Sequence, residues 1–325
     1  MRNINIALLS VGRESPLIYG FREAFKEVGI NGKIIGCDMD PFSVGLKLSD
    51  EGVLLPGYDN ENFPEIFHDF ISNKNIDLII PTADHDLKWW VNNHKNYEEF
   101  RDKFIISDTK NLDLTLSKKK FLKKLSNDNI RCPKILRQEK LNLERMKFPV
   151  FINSNFGSGS SSSHKVNNKE ELDYFSKKID DYVLTEYIEG EEYSIDCYFS
   201  MDGELISVVP RIRVYTFGGE AFISKTKENN NIIQKTIEMI KKFAFRGPIN
   251  VQAFLNNSND LIFFEINARF GGASRLSWKA GANAPKFIIE EFMGKIPSPI
   301  VGEYLSELLM LRYKDDLFLN YSELS

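Results

Sequence analysis

The segment 249–272 constrains the fold of this chain more than any other stretch. It consists of two apolar runs, 249–255 and 261–272, on either side of the polar sequence Asn-Asn-Ser-Asn-Asp. Two runs of this composition around a short polar turn predict a β-hairpin. The second run ends in two glycines before a helix-like pattern, and a glycine turn that opens a helix can bind an anion.

Three oxygen-bearing side chains interrupt the apolar runs of this hairpin. Glu265 and Asn267 are two positions apart and so face the same side of a strand, and pairing across the turn can bring Gln252 beside them. Mg²⁺ prefers such a sparse oxygen set, because water and phosphate complete its shell. We therefore predict a metal site here, with Arg269 on the same face to meet an anion. The alternative is the solvent-facing side of an amphipathic hairpin.

Composition narrows the class of protein. The 325 residues suffice for two or three domains or subdomains, and 42 Lys and Arg against 46 Asp and Glu give no basic face for nucleic acid. No apolar run is long enough to span a membrane. The three cysteines form neither a metal pattern nor a disulfide framework. We expect a soluble cytoplasmic protein with no nucleic-acid or membrane partner.

The N-terminal third predicts a parallel sheet with helices on its faces. A strand at 5–11, a helix at 16–28 and a second strand at 33–37 form a βαβ unit. A further strand at 77–81 leads to 82–84 at its carboxyl end, where such sheets bind ligands. A nicotinamide dinucleotide site is the alternative, but the first turn lacks G-x-G-x-x-G. The candidate residues for the pocket rim are Arg13, Asp38, Thr82 and Asp84.

The centre of the chain carries a segment rich in Gly and Ser, 154–163. A flexible linker is the alternative interpretation, but linkers join domains and this segment lies between two short strand-like runs. Small residues with free backbone N–H groups form concave phosphate sites. We therefore expect a phosphate-covering loop that includes Gly157, Ser158, Gly159 and Ser160.

Other patterns predict helices and an anion-binding strand. Helical spacing over 111–129 and 276–293 predicts one helix in each range. Arg211 and Arg213 are two positions apart on a strand and share a face, which suits an anion.

In order and spacing, these parts resemble the ATP-grasp superfamily, in particular its carbamoyl-phosphate-synthase-like, single-unit members. The resemblance implies an α/β fold, with a Rossmann-like domain at 1–110 before a two-lobed α+β ATP-grasp domain. The small lobe would be 111–184 and the large lobe 185–325. The segments that carry the resemblance are 10–13, 81–84, 148–150, 157–160, 186–194, Gln252 and 265–269.

The resemblance also implies a nucleotide site. Adenine would lie against Glu186, Tyr187 and Ile188, the last through its backbone. Glu192 would bind the ribose hydroxyls, and Lys118 would contact a phosphate group of ATP.

The implied chemistry is phosphorylation of a carboxylate by ATP, followed by attack of an amine or another nucleophile on the acyl phosphate. Positioning and charge neutralisation explain most of the first step. Gln252, Glu265 and Asn267 would hold Mg²⁺, with Mn²⁺ as an alternative metal, while Arg269 and Arg211 would be the catalytic cations. The implied partners are small-molecule carboxylates and amines, and a second copy of the chain in a homodimer.

One position departs from the family pattern. The strand before the Gly/Ser segment normally ends in Lys-Pro or Arg-Pro, and this chain has Asn153-Ser154 there. An amide supplies no charge, and charge-assisted hydrogen bonds are roughly twice as strong as neutral ones. The alternative to an active ligase is therefore a nucleotide-binding relative with weakened or no catalysis. The basic residues that could compensate are Lys118, Lys165, Arg211 and Arg213.

Overall fold

A computed structural model of the protein describes residues 3–12, 14–136, 146–157 and 162–320. Within these ranges the chain forms a four-stranded, a three-stranded and a six-stranded sheet. The first is parallel and the other two are antiparallel, which confirms the mixed α/β architecture that the sequence predicts. Arg13 and the predicted loop residues Ser158, Gly159 and Ser160 lie outside the described ranges.

The N-terminal sheet has the order β3-β2-β1-β4, with β1 between β2 and β4. The winding direction reverses between β1 and β4, so the carboxyl ends of these two strands flank a crevice. The Thr82 hydroxyl ties the two ends together, because it donates to the Leu9 and Ser10 carbonyl oxygens at 2.8 and 2.9 Å. The elements are β1 (Asn3–Leu9), α1 (Ser15–Val28), β2 (Asn31–Asp38), α2 (Val44–Leu48), β3 (Glu51–Leu54), α3 (Phe63–Asn73), β4 (Leu78–Pro81), α4 (Asp84–Asn93) and a 3₁₀ helix (His94–Lys103).

The middle of the chain forms two helices and a small sheet of order β6-β5-β7 with one helix against it. The antiparallel register of β5 and β6 pairs Asn153 with Ser163 and Phe151 with Lys165. Because side chains alternate along a strand, these four share one face of the sheet. The elements are α5 (Thr109–Leu116), α6 (Lys118–Asn127), β5 (Val150–Ser154), β6 (Ser163–Val166), α7 (Lys169–Lys178) and β7 (Tyr182–Glu186).

The prediction of one helix over 111–129 is wrong, because α5 and α6 are separate helices. The leucine spacing continues across the break, but Ser117 has extended backbone angles (φ −105°, ψ 112°). Its hydroxyl donates to the Asn155 side-chain oxygen at 2.9 Å, just beyond the end of β5. The break makes Lys118 the first residue of α6 and brings that end of the helix against the start of the Gly/Ser segment.

The large sheet has the order β12-β11-β8-β9-β10-β13. The predicted hairpin is confirmed: β11 and β12 are antiparallel, with Gln252 opposite Glu265 and Asn250 opposite Asn267. The register shifts after this pair, because Ala253 is opposite Phe263 and Phe264 is an extra residue on β12. The elements from here to the C-terminal end are β8 (Glu191–Phe199), β9 (Leu205–Phe217), β10 (Glu220–Thr226), α8 (Asn230–Ile240), β11 (Gly247–Leu255), β12 (Leu261–Asn267), α9 (Arg275–Lys279), α10 (Ala284–Phe292) and β13 (Leu309–Leu311).

The predicted helix over 276–293 is also two helices, α9 and α10. Gly281 adopts φ 117° after α9, a backbone angle that side-chain-bearing residues rarely adopt. Both helices pack against α1 of the N-terminal sheet. A Cβ atom on Gly20 would lie 2.5 Å from the Trp278 ring, so glycine is needed for this close packing. The C-terminal half is therefore held directly on the N-terminal one.

One hydrophobic cluster continues from the N-terminal sheet into the large sheet. It joins Leu9, Ile79 and Trp90 to Tyr193 and Ile249. None of the helices in the described ranges has the length and apolar character required to cross a membrane.

Candidate active site

A cavity of about 800 Å³ is lined by the two antiparallel sheets, by α6 and by the loops that follow β1 and β4 of the N-terminal sheet. Its charged lining is balanced, with five basic and five acidic side chains. The basic residues are Lys118, Lys165, Arg211, Arg213 and Arg269, and the acidic residues are Glu14, Glu186, Glu192, Glu220 and Glu265.

The β11–β12 hairpin brings the three predicted metal ligands to this cavity. Gln252, Glu265 and Asn267 all line it, and the Glu265 side chain is only 15% exposed. The Gln252 amide makes no hydrogen bond to any other described residue. Within the described ranges no group of three His, Cys, Asp or Glu residues could hold a metal. The donor set of one carboxylate and two amides fits a hard cation such as Mg²⁺ that takes its other ligands from phosphate and water.

Lys118 connects this hairpin to the Gly/Ser segment. Its ammonium lies 3.0 Å from a Glu265 carboxylate oxygen and donates to the Gly157 carbonyl oxygen at 2.7 Å. The lysine side chain is 10% exposed. A carboxylate this far from water needs a positive partner, and Lys118 supplies it without a metal.

Arg269 lies at the junction of the hairpin and the N-terminal sheet. Its Nε atom is 2.8 Å from a carboxylate oxygen of Asp84, 185 residues earlier in the chain, and its Nη2 atom donates to Asn267 at 3.3 Å. Burial lowers the pKa of the Arg269 guanidinium, but Asp84, Glu14 and Glu265 together raise it by more, so this group stays charged. The pair fixes a permanent positive charge beside the predicted metal ligands.

Arg211 is held differently from Arg269. Its side chain is 2% exposed and makes two hydrogen bonds to the Asp196 carboxylate, at 2.7 and 3.2 Å. Asp196 also accepts from Asn250 at 2.7 Å and from Ser277 at 2.6 Å. Arg211 lines the cavity, but its guanidinium belongs to a buried network beneath the hairpin.

The predicted adenine segment, 186–188, also lines the cavity. No described residue hydrogen-bonds to the backbone of Ile188, whereas the Glu186 side chain accepts from the Lys134 backbone N–H at 2.9 Å. Glu192, the predicted ribose ligand, is ion-paired with Arg213. Tyr187, Ile188 and Glu192 all contribute to the cavity wall.

Asn153 carries no charge to the cavity and is already hydrogen-bonded within the small sheet. Its side-chain oxygen accepts from the Ser163 hydroxyl at 2.8 Å. Gly157, the one described residue among the four predicted in the Gly/Ser loop, has φ 88° and does not line the cavity directly.

Two lining features escaped the sequence analysis. Phe254 and Phe264 stack on the hairpin with ring centroids 4.7 Å apart. The sequence could have indicated Phe254, because it is two positions from Gln252 and so faces the same side of the strand.

Glu14, at the start of α1, also lines the cavity. Burial raises the pKa of its carboxyl group, although Arg269 acts in the opposite direction. No sequence pattern indicates Glu14, because its place in the cavity depends on the packing of the N-terminal sheet.

Two family models match the chain. Residues 178–310 match the family described as ATP-grasp in the biosynthetic pathway with Ter operon, and residues 6–104 match the PylC-like N-terminal domain. Among curated protein sequences, no significant match is found.

Solved structures share the fold at low sequence identity. L-amino acid ligase from Bacillus licheniformis aligns with a TM-score of 0.73 at 15% identity, over 94% of this chain and 78% of that chain. N5-carboxyaminoimidazole synthetase from Staphylococcus aureus, complexed with ADP, gives 0.71 at 13% identity, over 91% and 79%. The biotin carboxylase domain of Hydrogenobacter thermophilus 2-oxoglutarate carboxylase, with MgADP, ADP and bicarbonate, gives 0.70 at 15% identity, over 91% and 71%.

Proposed function

We propose that this chain, which belongs to the ATP-grasp superfamily, is an ATP-dependent ligase that activates a carboxylate as an acyl phosphate and joins it to an amine or another nucleophile. The observation that carries the proposal is the convergence of Glu265, Asn267, Gln252, Lys118 and Arg269 on one cavity. A cavity of about 800 Å³ also has the size of a site for a small-molecule ligand, which is roughly 300–1,000 Å³.

In the first step a carboxylate oxygen of the substrate attacks the γ-phosphorus of ATP, and the bond to the β-phosphate oxygen breaks to release ADP. In the second step the nucleophile attacks the acyl carbon, phosphate leaves, and an amine nucleophile loses a proton. Phosphoryl transfer needs positioning and neutralisation of charge more than covalent help from the protein. Arg269, fixed by Asp84, is suited to the developing charge on the transferred group.

Mg²⁺ would be held by Gln252, Glu265 and Asn267, and when bound it neutralises charge on the phosphates. Lys118, now paired with Glu265, would bind a phosphate oxygen once the carboxylate has another cation. Ile188 would bind adenine through its free backbone groups, and Glu192 would exchange Arg213 for the ribose hydroxyls.

Arg211 has a different proposed part. Its two hydrogen bonds to Asp196 support a positioning role under the hairpin, from which its charge acts on the cavity at a distance.

Three further expectations from the sequence stay predictions. They are the phosphate-covering role of Ser158, Gly159 and Ser160, the domain boundaries at 110 and 184, and a homodimer.

The test is ADP release over a panel of carboxylates, each with and without amines, with hydroxylamine present to trap an acyl phosphate as a hydroxamate. We expect at least one carboxylate to stimulate ADP release and give a hydroxamate without any amine. If the protein binds ATP but no carboxylate stimulates ADP release, the ligase proposal is wrong.

A second candidate function is a nucleotide-binding protein that does no chemistry. The neutral Asn153, hydrogen-bonded to Ser163, favours it because the usual phosphate-binding cation is missing from that strand. This function predicts nucleotide binding by calorimetry with little dependence on Mg²⁺, whereas the ligase requires strong dependence.

A further inference from the structure

Four of the five basic side chains that line the cavity already have a carboxylate partner. Lys118 pairs with Glu265 at 3.0 Å, Arg211 with Asp196 at 2.7 Å and Arg269 with Asp84 at 2.8 Å, and Arg213 pairs with Glu192. Lys165 differs, because no described carboxylate lies within ion-pair distance of its ammonium. Its neighbour is instead the Tyr187 ring, 4.2 Å away.

The register of the small sheet places Lys165 near Asn153, the residue that departs from the family pattern. Lys165 is directly opposite Phe151, and Asn153 is directly opposite Ser163. Position 153 is therefore a diagonal neighbour of Lys165 on the same face, about 7–8 Å away, which is within reach of a long side chain. Both side chains line the cavity.

A nucleotide di- or triphosphate brings several negative charges into a cavity whose own lining charges are equal in number. Asn153 can offer only a neutral hydrogen bond there, and its oxygen is already taken by Ser163. The cation that can turn to the ligand without first leaving a carboxylate is Lys165. An exposed cation over an aromatic ring is held weakly, so leaving Tyr187 is not a large barrier.

We propose that Lys165 supplies, from the neighbouring strand, the nucleotide-phosphate contact that Asn153 cannot make. The inference rests on the proposed nucleotide site. With Lys165 in this role, the small sheet can bind a phosphate group although position 153, which is usually basic, is neutral. By sequence alone Lys165 is one of four basic residues that could compensate for Asn153, and the pairing of β5 with β6 distinguishes it from the other three.

The test compares ADP and adenosine as ligands of the wild-type chain and of Lys165→Met, which keeps most of the aliphatic stem but removes the charge. We expect ADP to bind about tenfold more weakly to the variant, the order of one charge-assisted hydrogen bond, while adenosine affinity stays the same. Lys134→Met is the matched control, since Lys134 is an exposed lysine beside the adenine segment that does not line the cavity. We expect no change in that control.

A rescue makes the assignment specific. In the double variant with Lys165→Met and Asn153→Lys, the restored charge should return ADP affinity to within about twofold of wild type. An equal loss of ADP and adenosine affinity in Lys165→Met would overturn the inference, because it would mean that the lysine acts on the base through Tyr187. Wild-type affinity for ADP in Lys165→Met would overturn it as well. If the wild-type chain itself fails to bind ADP, the proposed function fails, and that result is distinct from either of these.

Discussion

Two strand pairs line the same cavity and are prepared for a ligand to different degrees. On the β11–β12 hairpin, Glu265 and Asn267 are half-buried or buried, and both already contact a cationic side chain. On the β5–β6 pair, Asn153 is neutral and Lys165 is exposed, with no carboxylate partner among the described residues. The charges on the hairpin are thus compensated before any ligand arrives, whereas Lys165 on the small sheet would gain an anionic partner from the ligand.

This contrast indicates that the hairpin determines the catalytic rate and that the small sheet determines the affinity for the nucleotide. Catalytic groups must be held within a fraction of an ångström of their working positions, which buried ion pairs on a large sheet achieve. A contact to a nucleotide phosphate tolerates more freedom and can come from either of two neighbouring strands. We therefore expect changes on the hairpin to affect turnover and changes on the small sheet to affect binding.

The largest effect should come from Glu265→Gln. This change removes the carboxylate of the predicted metal site, and we expect the rate of carboxylate-stimulated ADP release to fall by about a thousandfold. The measurement is kcat at saturating Mg²⁺ and ATP. Glu238→Gln, an exposed site on α8 with the same chemical change, should leave kcat unaltered. A fall of less than threefold in Glu265→Gln would show that the hairpin carries no metal chemistry.

Arg211→Met should affect stability more than the nucleotide site. The change leaves the buried Asp196 carboxylate without its cation, and we expect the free energy of unfolding to fall by about 3 kcal/mol. Urea unfolding measures it, with Arg131→Met as control, because Arg131 is 67% exposed in its pair with Asp260 and should matter by less than about 0.5 kcal/mol. Full stability together with lost turnover would instead make Arg211 a group that contacts substrate.

Asn153→Lys alone should strengthen ADP binding by about fivefold, because it adds a charge on the small sheet. Calorimetric titration with ADP measures the change. The gain should be smaller than the rescue in the Lys165→Met background, since in the wild-type chain Lys165 already serves the phosphates. Equal gains in both backgrounds would mean that the two positions act independently.

The smallest effect concerns the pH dependence of stability at Glu14. Burial raises the pKa of this carboxyl above its ordinary value of 4.5, with Glu220 acting in the same direction and Arg269 and Arg312 opposing. Its contribution to stability is therefore fully present below pH 4.5 and is lost as the pH rises through the raised pKa. Glu14→Gln should have a higher Tm than wild type at pH 7 and the same Tm at pH 4. A lower Tm at pH 7 would mean that a cation stabilises the charged form.

Sequence reasoning succeeded where a single local rule fixes the outcome. Pairing across the short polar turn predicted Gln252 beside Glu265, and a βαβ pattern predicted the parallel sheet. It failed at the break before α6, where Ser117 caps the helix locally by accepting from the Lys120 backbone N–H and also donates to Asn155, 38 residues later. Asp84 is a candidate rim residue by sequence alone, but its pairing with Arg269 could not be predicted, since only tertiary packing joins residues so far apart.

The two contacts of the Lys118 ammonium have a consequence for the order in which ligands exert their effects. Because this group touches both Gly157 and Glu265, a divalent ion that claims the carboxylate frees the lysine for a phosphate, and a phosphate that claims the lysine exposes the carboxylate to the ion. Metal and nucleotide are then thermodynamically linked through a single side chain. If the ion raises the affinity for the nucleotide by a given factor, the nucleotide raises the affinity for the ion by the same factor.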